Sequence, residues 1–113
     1  MPRKFLSIKK RKDFLIVREL GETFKSTFLI INYKKNISEK TNKIFRLGLT
    51  VSKRIGNAVK RNYVKRILRS IYIKQSENIP KGYDYEIIPK KIILNCKFNE
   101  LEQDIKNFIK KIK

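Results

Sequence analysis

Midway along the chain the hydrophobic period changes once, and that change limits the fold more than any other feature. Residues 44–52, "IFRLGLTVS", alternate strictly, with Phe45, Leu47, Leu49 and Val51 on one side and Arg46, Gly48, Thr50 and Ser52 on the other. After Gly56 and Asn57 the apolar positions fall instead at Tyr63, Val64, Ile67, Leu68 and Ile71, the spacing of one helical face. A half-buried strand therefore passes into an amphipathic helix over about 58–74, with Asn57 placed as its N-cap. Each element has one apolar side to bury, and a helix packed on a sheet satisfies both.

The flanking segments extend the same scheme. "KKRKDFLIVREL" puts Phe14, Val17 and Leu20 at helical spacing over about 9–20, with Gly21 as a C-terminal cap. "ETFKSTFLIINYKK" is rich in aromatic and β-branched residues and reads as a short edge strand followed by a longer strand over about 27–34. Asparagines, lysines and Ser38 then make a polar loop. "YDYEIIPKK" reads as a last strand, with Pro89 at its end or at an edge, because proline has no amide to give a ladder. Phe98, Leu101, Ile105, Phe108, Ile109 and Ile112 share a face of a C-terminal helix whose acids come early and lysines late, as its dipole favours. The expectation is one α+β domain over residues 1–113, a two-layer sandwich of four strands and three helices in the order αβββαβα.

Several functions are excluded by what the chain lacks. It has 113 residues, no histidine and a single cysteine, Cys96. Zinc sites and Ser-His or Cys-His nucleophilic chemistry lose their usual residues, and the ten acids form no obvious pair for general acid–base work. Cys96 reads as a small buried hydrophobe. No apolar run approaches the roughly 18 residues of a membrane span, and the start "MPRKFLSIKKRKDF" has no apolar h-region or cleavage site. A soluble, cytoplasmic protein is expected, with no catalytic residue and no metal site of its own.

The net charge is +19, and a field of that size attracts polyanions. Abundant Ile, Lys and Asn hint at an A+T-rich genome, so clustering is better evidence than the total. From Lys40 to Ser76 there is no acid, and Arg54, Arg61, Arg66 and Arg69 crowd together. At about 100° per residue, Arg61, Asn62, Lys65, Arg66 and Arg69 share one helical face opposite the apolar one. Like charges four residues apart repel, so an external polyanion is the natural partner. Arginine's fork grips phosphate through two hydrogen bonds, lysine adds point charge, and the helix N-terminus at Asn57 adds free amides beside Lys53 and Arg54. A structured RNA and the DNA major groove are both compatible with such a helix. A membrane-surface role conflicts with the core's need for the apolar face.

The stretch "LGLTVSKRIGNAVKRNYVKRILR" resembles the signature of the protein-subunit family of bacterial ribonuclease P. The likeness runs, more loosely, from about Ile8 through "KDF" and Gly21 to "YDYEII" and the C-terminal helix. The resemblance implies a left-handed βαβ crossover carrying the basic helix, where a right-handed one would ordinarily be expected. It implies a ribonucleoprotein that cuts the 5′ leader from precursor tRNA, with the RNA as catalyst, magnesium held mainly by that RNA, and neither DNA nor membrane as partner. It assigns Lys53, Arg54, Asn57, Lys60, Arg61, Asn62, Lys65, Arg66 and Arg69 to the catalytic RNA, and Phe14, Arg18, Ile31 and Tyr33 to a cleft for the leader. Tyr63 and Arg18 depart from the family pattern, which often has arginine and an aromatic residue there. The competing reading is a non-enzymatic binder of structured RNA of ribosomal-protein type.

Overall fold

The computed structural model describes residues 5–36 and 44–112. The polar loop expected around Ser38 lies largely outside them. In chain order the elements are β1 (Phe5–Ser7), α1 (Arg11–Leu20), β2 (Glu22–Lys25), β3 (Leu29–Lys35), β4 (Phe45–Leu49), α2 (Ala58–Lys74), β5 (Tyr83–Pro89) and α3 (Phe98–Ile112), with short 3-10 turns at Lys53–Ile55 and Lys91–Asn95. The three helices and their bounds follow the sequence pattern closely. The strand count does not, because the sheet has five strands, ordered β1-β4-β5-β3-β2. The extra strand β1 pairs parallel with β4, Phe5 opposite Phe45. Three residues are too few to show an alternation, and their partner lies far along the chain.

β4 and β5 are parallel neighbours, so α2 is the crossover of a βαβ unit, and β5 runs antiparallel to β3 on its other side. β5 is thus central, and Pro89 closes it opposite Leu29. The side chains of Phe45, Leu47, Tyr85, Ile87, Leu29 and Ile31 meet Val64, Leu68 and Ile71 of α2 and Leu101, Ile105 and Phe108 of α3 in one core. Phe108 is its aromatic centre, with its ring centroid 5.3 Å from that of Tyr33 and 5.8 Å from that of Tyr85, both edge-on. The sheet with α2 and α3 on one face makes the expected pair of layers, and α1 adds a third that the two-layer expectation lacked. α1 lies on the sheet's other face, where alternation places Asn32, Arg46, Gly48, Asp84 and Glu86.

Local chemistry explains how α1 and α2 are set. Gly21 does follow α1, but its φ of −93° is extended rather than left-handed. Its need for glycine is steric, since a Cβ there would lie 2.4 Å from the Tyr33 carbonyl oxygen. Of the three apolar residues expected to seat α1, Val17 is buried, Phe14 is half-buried and Leu20 is 71% exposed. At the start of α2, Gly56 has φ 144°, a region that disfavours any side chain. Asn57 then caps the helix, its side-chain oxygen accepting from the Lys60 amide at 3.0 Å. α3 is opened in a related way, the Glu100 carboxylate accepting from the Lys97 amide at 2.9 Å.

Candidate nucleic-acid interface

The exposed side of α2 carries Asn62, Arg66 and Arg69, while Arg61 and Lys65 are half-buried at one margin. Tyr63, whose spacing had placed it on the packing side, is 45% exposed at the other margin. The outward face therefore centres on Arg66 rather than between Arg61 and Arg69. Lys53, Arg54, Asn57 and Lys60 are exposed at the N-terminal end of the same helix. Among the described residues none of the seven cations from Lys53 to Arg69 is in a salt bridge. That charge is left for something outside the chain.

A second surface forms beside α1. Lys9, Arg11, Phe14, Leu15, Arg18 and Thr50 line an open groove of about 340 Å³. Phe14 reaches it by setting its ring against β4 at Gly48, where a Cβ would sit 2.3 Å from the ring's Cε1. Below the groove, Glu86 is fully buried and its carboxylate takes four hydrogen bonds. Oε1 accepts from Arg18 Nε at 3.2 Å and Asn32 Nδ2 at 3.0 Å. Oε2 accepts from Arg18 Nη2 at 2.5 Å and Thr50 Oγ1 at 2.7 Å. Burial alone would raise the Glu86 pKa, but the hydrogen bonds from Arg18, Asn32 and Thr50 outweigh it and hold the carboxyl below its ordinary value. Arg46, also on this face, is tied to Asp84 at 2.6 Å and more loosely to Asp13 at 3.4 Å.

The four residues expected to form one leader cleft do not share a surface. Phe14 and Arg18 face this groove, whereas Ile31 is fully buried beneath the other helices. Tyr33, two residues on and so on the same side as Ile31, packs against Phe108, and burial together with Glu22 pushes its pKa to about 12. Alternation fixed which strand residues go together but not which side α1 would cover. In their place stand residues the sequence reading passed over: Lys9, Arg11 and Thr50 in the groove, and Glu86 beneath it. A charged residue inside the apolar run "YDYEIIP" was the available signal for the last.

Two further openings lie beside these surfaces. A cavity of about 150 Å³ is lined by Phe14 and Gly48 on one side and by Lys65 and Arg69 of α2 on the other. The basic helix and the aromatic groove thus adjoin. Farther along the α1 side of the sheet, Ile30 and Ile88 floor a broader groove, and Arg54, Lys90 and Lys91 supply its cations.

The family model described as Ribonuclease P matches residues 1–113. The chain is 33% identical over 105 residues to the ribonuclease P protein component of Clostridioides difficile, covering 92% of this chain and 89% of that one. To the protein of that name from Desulforapulum autotrophicum it is 36% identical over 103 residues, covering 91% and 85%. The solved structure of the RNase P protein from Thermotoga maritima superposes with a TM-score of 0.82 at 28% identity, covering 95% of this chain and 97% of that one.

Proposed function

Because the chain belongs to the ribonuclease P protein family, as the protein component of that ribonucleoprotein endoribonuclease, we propose that it holds two RNAs at once through the two surfaces described. The exposed side of α2, from Lys53 to Arg69, binds the catalytic RNA. The groove beside α1 receives the single-stranded 5′ leader of precursor tRNA. Phe14 stacks on a leader base, a contact worth about 1 to 3 kcal/mol and largely indifferent to which base it is. Lys9 and Arg11 neutralise leader phosphates. The observation that carries this reading is the shared cavity, with Phe14 on one wall and Lys65 and Arg69 on the other, which supports a leader lying beside the RNA-binding helix.

The chemistry belongs to the RNA, and magnesium is held mainly there. Among the described residues no group of three or more acids or cysteines is placed to hold a metal ion. The protein lowers the repulsion between two polyanions and so tightens the hold of the complex on substrate. The site of action is the cytoplasm; no helix among the described residues is long and apolar enough to cross a membrane.

Reconstitution tests the reading. With ribonuclease P RNA and modest magnesium, the protein is expected to speed leader removal and to favour precursor over mature tRNA, and Phe14→Ala to lose that preference while assembly with the RNA persists. Binding to the RNA without stimulation would return the protein to the class of structural RNA binders. A Phe14→Ala variant, folded and with the parental preference, would remove the leader from this groove.

A further inference from the structure

We propose that Arg18, fixed in place by Glu86, reads a guanine in the leader, so that the groove has a base preference that stacking on Phe14 alone would not give. The proposal rests on the leader-binding reading above. Arg18 meets Glu86 side-on, through Nε and Nη2, and Glu86 is itself locked by Asn32 and Thr50. The guanidinium plane is therefore set before any ligand arrives, and little rotamer freedom remains to be lost on binding. Side-on pairing consumes Nε and one Nη2 hydrogen. The opposite edge, Nη1 with the second Nη2 hydrogen, donates to no protein group among the described residues, and the side chain is 45% exposed on the wall it shares with Phe14.

Charge argues that this edge is meant for a base rather than a phosphate. Glu86 neutralises Arg18, which leaves that edge as a pair of directional donors with little net field. Lys9 and Arg11, in the same groove and without a salt bridge among the described residues, carry the charge that phosphates need. Phe14 and Arg18 are four residues apart on α1 and so stand one above the other on one face. A base stacked on the ring presents its edge to the guanidinium. On its Hoogsteen edge guanine offers two adjacent acceptors, O6 and N7, that match the fork and stand clear of the sugar; adenine sets a donor beside N7, and cytosine's acceptor pair, O2 and N3, lies on the edge beside the sugar.

The test uses the reconstituted holoenzyme and precursor tRNAs differing at one leader nucleotide at a time, in competition. One leader position is expected to favour guanine by at least about fivefold, the lower range for a bidentate contact of this kind. The preference should be missing with the RNA alone, fall when 7-deazaguanine replaces the guanine, and disappear in Arg18→Lys and Glu86→Gln. The deaza substitution leaves the protein untouched, so it answers even where a variant folds poorly. No guanine preference at any position, or one that survives Arg18→Lys, overturns this inference. If Phe14→Ala still abolishes the preference for precursor in that case, the groove remains the leader site and only the base reading fails; if it does not, both fall.

Discussion

At the scale of single residues, Tyr63 and Glu86 show how far position and role can part. Tyr63 occupies a helix position whose spacing implies packing, yet nearly half of it faces solvent. Tyr63→Ala is expected to change unfolding free energy by no more than about 0.5 kcal/mol, as for other exposed sites, where loss of a buried aromatic side chain costs about 3 to 5 kcal/mol. Urea denaturation distinguishes the two. Glu86 is the reverse case, a charge in the most buried strand. Its pKa is depressed in the folded protein, so its contribution to stability is complete above the ordinary glutamate value of 4.5 and is lost as pH falls below it. Stability measured by denaturant between pH 6 and pH 3 should therefore drop on acidification, and Glu86→Gln should flatten that part of the curve. An identical acid profile in the variant would assign the loss to other carboxylates.

At the scale of elements, α2 makes the sharpest prediction. Arg66→Ala and Arg69→Ala should each weaken binding to the catalytic RNA and lower the dependence of log affinity on log salt by about 1, with the fold intact. Arg66, at the centre of the exposed face, should have the larger effect, and titrations at several salt concentrations compare them. Unchanged affinity and slope in both would move the RNA off this face. The long helices were legible because ten or more residues report the same period, and the Asn57 cap because its chemistry is local. β1 was not, since its three residues have meaning only beside β4. Nor was the ion pair of Arg18 with Glu86, whose partners lie on α1 and β5 and meet only once the sheet chooses the face that α1 covers. The misplacement of Ile31 and Tyr33 has the same origin, a choice between two faces that no alternating pattern can make.

For the molecule as a whole, the division of labour sets the response to magnesium. The purified chain without RNA is expected to leave precursor tRNA uncut at any magnesium concentration. Stimulation of the RNA by the protein should be large at low magnesium and shrink as the ion takes over the screening. Single-turnover cleavage across a magnesium series, with and without protein, measures both. Cleavage by RNA-free protein would overturn the first expectation, and a constant ratio of rates the second.

Phe14 and the α2 cations Lys65 and Arg69 line one cavity, so a leader and a catalytic RNA bound as proposed would meet at a common wall and would not bind independently. Cooperativity between them is mutual: whatever factor the catalytic RNA adds to the protein's hold on a leader, the leader adds to its hold on the RNA. Cleavage separates the leader from the tRNA and so cancels that factor for the tRNA alone. With leader and catalytic RNA bound as proposed, the cavity would give the complex a means of telling substrate from product, gripping the one and letting the other go.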